Sequence, residues 1–132
     1  MKNLHTMTTA QLCDWHAERA GWFAPKTNPD APANVEWTKR DRLGRLLYGG
    51  WSRGQATHPF PPTLDDAASA MPEGVRACLV ETGCASGIWL EWRAVKKEKW
   101  GYRVLAKCPD TNDETRDRYL LAALAAKQEA GE

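Results

Sequence analysis

Along residues 63–127 the apolar positions recur first with helical spacing, then in alternation, then with helical spacing again, and start or stop signals separate the three regimes. Leu64, Ala67, Ala68 and Met71 share one helical face behind Thr63, while Asp65 and Asp66 suit the positive end of a helix dipole. Pro72 and Gly74 end that helix. Three strand patterns follow: Val75 to Thr82, Ile88 to Val95 and Trp100 to Lys107. In the middle one Ile88, Leu90 and Trp92 share one face and Trp89, Glu91 and Arg93 the other, the period of a half-buried antiparallel strand. In the third, Trp100, Tyr102, Val104 and Ala106 stand opposite Arg103, Leu105 and Lys107. Short connections at Gly83 to Gly87 and Lys96 to Lys99 make both strand pairs hairpins. Thr111 and Glu114 form a capping box for a last helix, whose stripe is Tyr119, Leu120, Ala123, Leu124 and Lys127.

This order predicts an α+β fold: a three-stranded antiparallel meander flanked by helices (α-β-β-β-α) over 63–132. Residues 1–62 form an N-terminal helical and loop extension packed on that core within a single domain. The two flanking helices can cover the same face of the sheet or opposite faces. Consistent face assignment under both periodicities predicts one core of Leu64, Met71, Leu79, Ile88, Leu90, Trp92, Val104, Leu120 and Leu124.

In the extension, Thr8 and Gln11 open a helix that Gly21 stops after Ala20, and Leu12, Trp15 and Arg19 line one side of it. Such a helix docks on the sheet or on the last helix. Pro25, Asn28, Pro29, Pro32 and Asn34 then mark a loop or linker. From Thr38 to Gly54 basic and apolar residues mix, and Leu43, Leu46 and Leu47 give a helical stripe from Lys39 to Tyr48 with Gly44 in its middle. Arg40, Arg42, Arg45 and Arg53 with Trp37 and Trp51 make this stretch a candidate contact patch, and Trp89 joins them as an aromatic on the polar face of the middle strand. The plain alternative is a docked helix with a solvated basic face. His58 to Pro62 reads as an extended, polyproline-like lead into the first core helix.

The chain has 132 residues, enough for one substantial core, and a net charge of +1, so no global field draws it to nucleic acid or to an anionic membrane. Seven Trp against two Phe make indole rings the main large anchors. No apolar run approaches a membrane span and the first residues are polar, which places the protein in a cytoplasm. Cys13 and His16 stand one turn apart, half of a zinc site, but Cys78, Cys84, Cys108, His5 and His58 supply no second pair of matching spacing. The cysteines therefore read as passive thiols, with no metal and no cofactor. No nucleophile elbow, phosphate loop or dinucleotide fingerprint is present, so no catalytic residues are assigned. The acidic groups at Asp65–Asp66 and from Asp110 to Asp117 cap helices, or alternatively present a surface that mimics nucleic acid.

The α-β-β-β-α order is shared with double-stranded-RNA-binding domains, but the turn that must grip phosphate is here Asp110-Thr111-Asn112-Asp113-Glu114, which repels it. The chain more closely resembles small phage and prophage accessory proteins with an alpha-beta-alpha sandwich domain. The resemblance rests on Ala20-Gly21-Trp22 closing the first helix, the Thr63-Leu64-Asp65-x-Ala67 start, the aromatic middle strand and the alanine-rich terminal helix. It covers most of the chain and carries over no functional residues. It implies a non-enzymatic protein in the host bacterial cytoplasm that binds a host protein or ribonucleoprotein complex, as an inhibitor of a bacterial defence system in the manner of anti-CRISPR proteins. The alternative is a nucleic-acid-binding accessory module using the basic segment 39–53.

Overall fold

Reciprocal hydrogen bonds start the first helix, α1 (Thr9–Arg19): the Gln11 amide donates to the Thr8 hydroxyl at 3.3 Å and the Thr8 amide donates to the Gln11 side chain at 2.9 Å. Gly21, at φ 93, turns the chain out of it. The computed structural model describes residues 3–23, 37–40, 42–43, 45–48 and 59–131, and at 40 and 46–48 it describes the backbone alone. A 3-10 turn at Leu4–Thr6 precedes α1, and β1 (Trp22–Phe23), β2 (Thr38–Arg40) and β3 (Leu46–Tyr48) form a small antiparallel sheet in that order. Then come α2 (Leu64–Ser69), the long strands β4 (Val75–Cys84), β5 (Gly87–Glu98) and β6 (Gly101–Pro109), and α3 (Glu114–Glu129). The second sheet is an antiparallel meander in the order β4-β5-β6.

Helix α3 is the centre of the molecule. Tyr119, Leu120, Leu121, Ala122, Ala123 and Ala125 are all buried, so its middle turns have no polar side and must be enclosed. One side packs on β5 and β6, and the other receives α1 and α2. Alanines there leave room for close approach. Both α2 and α3 thus lie on the same side of the long sheet, and Leu4, Met7, Leu12 and Cys13 belong to the same core as Val75, Trp92, Ala94 and Cys108.

Polar anchors fix this stack. Arg116 donates from Nη2 to the His5 carbonyl at 2.7 Å and from Nε to the Met7 carbonyl at 3.1 Å, tying the N-terminal turn to α3. The Tyr119 hydroxyl donates to the Pro61 carbonyl at 2.6 Å. His16 Nε2 lies 2.9 Å from the Tyr119 carbonyl, and since a carbonyl only accepts, that nitrogen carries the hydrogen. Asp117 is fully buried and accepts from the Thr111 amide at 2.8 Å and the Thr111 hydroxyl at 2.7 Å. A buried carboxylate is tolerated because donors replace its water.

Several sequence expectations are corrected. The helix expected over Lys39 to Tyr48 is instead a strand pair, β2 and β3, because Gly44 splits the leucine stripe and β1 supplies β2 with ladder partners. The last helix is capped by Asp113, which accepts from the Arg116 amide at 3.1 Å, while Thr111 serves Asp117 and Asn112 turns the chain at φ 66. Both hairpin connections are two residues long, Ala85–Ser86 and Lys99–Trp100, each followed by a glycine at positive φ (Gly87, 150; Gly101, 133). Of the expected core, Trp92 and Leu120 are buried, and Met71 and Leu124 are partly buried against it. Leu64, Leu79, Ile88, Leu90 and Val104 are exposed. Leu79, Ile88 and Leu90 do face the α3 side, but β6 pairs with β5 only as far as Glu91, and the β4–β5 ribbon beyond it is left uncovered. Val104 changes side at a β-bulge: Ala94 pairs with Ala106 but Val95 with Val104, so Leu105 and Ala106 both pack inward.

Replacing Asp117 by Asn leaves an amide N–H₂ against a donor, and urea unfolding should register a loss of about 1.5–3 kcal/mol. Combined with Thr111→Val the loss should be less than additive, since both changes remove the same bonds. A change under about 0.5 kcal/mol would remove Asp117 from the anchors. His16 generates a second expectation. Burial, then the neighbouring Arg19 charge, lowers its pKa below the usual 6.5, against the pull of its bond to Tyr119. The unfolded chain therefore takes up the proton first, so stability falls as pH drops below 6.5 and this contribution is intact above it. His16→Gln should flatten the dependence of the urea midpoint across that window, and an unchanged slope would show that other groups govern it.

Candidate interaction face

With α3 on one face of the long sheet, alternation sends every second side chain to the other face, and no element among the described residues packs on it. Register defines that face: Arg76, Cys78, Val80 and Thr82 on β4; Trp89, Glu91, Arg93, Val95 and Lys97 on β5; Tyr102, Val104 and Lys107 on β6. Its middle is hollowed into an apolar trough of about 430 Å³ between Val80, Val95, Val104 and Tyr102, with Arg76 and Arg93 at its margins. Arg93 is held in place, its Nε donating to Glu91 at 2.8 Å and its Nη2 to the Thr82 hydroxyl at 3.3 Å. The Cys78 thiol points to the Arg93 carbonyl at 3.6 Å. Arg76, Lys97 and Lys107 make no ion pair among the described residues.

Large apolar side chains are concentrated at the ends of the same sheet. Ile88 is 72% exposed and Trp89 45% on the β4–β5 ribbon, and Trp100 is 91% exposed at the β5–β6 turn. Trp89 shares the face of the trough, whereas Ile88 projects to the α3 side of the ribbon and Trp100 lies in the turn.

The residues expected to make contact are divided by the fold. Trp89 lies on the open face. Arg42 and Arg45 are exposed around the β2–β3 turn, apart from the long sheet, and the Arg40 backbone belongs to β2. Trp37, 7% exposed, is buried and offers no contact surface. Trp51 and Arg53 lie outside the described residues. The acidic run is likewise divided: Asp117 is interior and Asp110 accepts from the Trp92 indole at 3.3 Å, so Asp110 to Asp117 is not one continuous acidic surface. Missed from the sequence were Arg76, Val80, Val95, Tyr102 and Lys107; a strict alternation count on β4 and β5 was the available signal, but β6 hides its bulge.

Cys13 and His16 both point into the core, Cys13 against Tyr119. Among the described residues no three His, Cys, Asp or Glu side chains converge as metal ligands, and no helix is long and apolar enough to cross a membrane. Burial raises the Cys13 thiol pKa and pushes Cys108 up to about 12. Cys84 is exposed at the ribbon's tip, and hydrogen bonding from the Ser86 hydroxyl, 2.8 Å away, then from backbone amides, lowers its pKa. A maleimide at neutral pH should label Cys84 fastest, Cys78 more slowly, and Cys13 and Cys108 only on unfolding. Rapid labelling of Cys108 in the native protein, seen by mass spectrometry of peptides, would contradict the packing of β6 on α3.

Comparison of the chain with protein-family models, with curated proteins and with solved structures finds no match in any of the three.

Proposed function

We propose that this chain is a non-enzymatic binding protein that engages another protein through the open face of its long sheet, and that it serves as a phage-encoded inhibitor of a bacterial defence system. The observation that carries the binding reading is the face on which no described element packs: an apolar trough margined by fixed and free cations, with the exposed Trp89 on the same face. Leaving such a surface in water forgoes about 25 cal/mol for each Å² of apolar area that a partner would cover. The inhibitor reading adds the resemblance to phage accessory proteins and the lack of catalytic motifs. A host protein, free or within a ribonucleoprotein complex, is the expected partner, met in the bacterial cytoplasm.

Nucleic acid is the weaker partner on the same geometry. Trp89 and Tyr102, the aromatics that would stack bases, stand at opposite ends of the face, and its centre is aliphatic. The basic segment 39–53 remains the alternative nucleic-acid site, with Arg42 and Arg45 exposed there.

Expression of the chain in a bacterium with active CRISPR immunity should restore plaquing by a targeted phage. Trp89→Ala with Val104→Lys, both at exposed positions, should fold normally by circular dichroism and lose most of that restoration, since losing about 2 kcal/mol at an anchor weakens a complex about 30-fold. A partner captured from lysate should survive nuclease treatment. Capture that vanishes with nuclease, or activity lost only when Arg42 and Arg45 are replaced, would favour the nucleic-acid module.

A further inference from the structure

Strand register resolves the open face into a pattern finer than a basic apolar surface. Cross-strand partners place Val80 beside Glu91, Cys78 beside Arg93 and Lys107, Arg76 beside Val95 and Val104, and Lys97 beside Tyr102. The apolar positions therefore run diagonally, from Val80 and Cys78 on β4 through Val95 on β5 to Val104 and Tyr102 on β6. Cations border this diagonal on both sides, Arg93 and Lys107 along one edge and Arg76 and Lys97 along the other. The single acid, Glu91, is already bonded to Arg93.

Resting on the reading that this face binds protein, we infer that its occupant is an amphipathic α-helix of the partner, carrying an apolar stripe flanked on both sides by acidic residues. Charge complementarity selects the acids: four cations and one neutralised carboxylate border the stripe, in a chain whose net charge is only +1. Shape selects the helix. The diagonal crosses three strands, about 10 Å, while advancing about 20 Å along them, so it is about 22 Å long and matches about 15 helical residues. The opposite face of the same sheet already seats a helix of that size, the 16-residue α3, with Lys96 at the sheet paired to Glu129 of the helix at 2.9 Å. A small molecule fits less well, because a trough open to solvent along its length cannot enclose most of a ligand's surface. An added strand would use an edge rather than the face.

The probe is a synthetic peptide of about 15 residues, with leucines at helical i, i+3, i+4 and i+7 spacing and glutamates flanking the stripe on both sides. Controls are the same peptide with lysine in place of every glutamate, a scrambled peptide of identical composition, a single-stranded oligonucleotide, and phosphatidylglycerol vesicles. Using the full-length chain, the acidic peptide should bind saturably by fluorescence anisotropy and shift the amide resonances of Val80, Val95, Val104 and Tyr102. Arg76→Glu with Lys107→Glu, one reversal on each edge at exposed positions, should weaken it about tenfold or more while leaving the circular dichroism unchanged. Binding of neither peptide, equal binding of the acidic and lysine peptides, equal binding of the scrambled one, or preferential binding of the oligonucleotide or vesicles at these resonances would overturn the helix assignment. No host component enters this measurement, so its failure is separable from failure of the plaquing assay, which bears on the inhibitor reading alone.

Discussion

Enclosure of α3 is the constraint from which the rest of the architecture follows. Six buried positions among the seven from Tyr119 to Ala125 leave no polar side to this part of the helix, so neighbours must close around it. The long sheet takes one side and α1 with α2 the other, and the N-terminal segment becomes structural because Arg116 grips the carbonyls of His5 and Met7. Every described helix of more than one turn is thereby committed to one side of the sheet. Nothing of that kind is left for the other side.

That commitment links stability to function. A three-stranded sheet buried on one face is stable enough to present its second face without covering it, provided the exposed face carries charge. Arg76, Lys97 and Lys107 supply that charge, and the Arg93–Glu91–Thr82 network holds one cation at a fixed position beside the trough. Fixed groups lose less entropy on binding than free ones, so this side of the trough is prepared for contact. The ribbon of β4 and β5 runs past the reach of α3, which is why Ile88 on the α3 side is exposed rather than packed, and the same ribbon carries Trp89 on the open face.

Local signals carried the most information in the sequence. The caps at Thr8 and Thr63, the stop at Gly21 and the alternation of Ile88 to Arg93 each depend on residues within one turn or one strand, and each predicted the element that forms. What the sequence left open depends on distant partners. Thr111 and Asp113 are both competent caps, and the choice between them is made by burial of Asp117 on the far side of the first helical turn. The cluster Leu43, Leu46 and Leu47 fits a short helix or a strand pair, and pairing with β1 decides it. Trp37 and Trp89 have equal claims as contact residues until the fold buries one and exposes the other.

The bulge at Leu105 shows how a single irregularity shapes both the core and the candidate face. Strict alternation back from Ala106 would send Leu105 outward, Val104 and Tyr102 toward α3, and Arg103 to the open side. With one extra residue in β6, Leu105 joins Ala106 against the core, and Arg103 falls on the α3 side of the sheet, where it pairs with Glu98 at 3.0 Å. Val104 and Tyr102 are turned to the open face at the same time, and they complete the apolar diagonal that begins at Val80 on β4. Packing a leucine inward is favourable in itself. Because the chain is continuous, that inward leucine requires an outward valine and tyrosine, so the drive to fill the core against α3 also builds the surface offered to a partner.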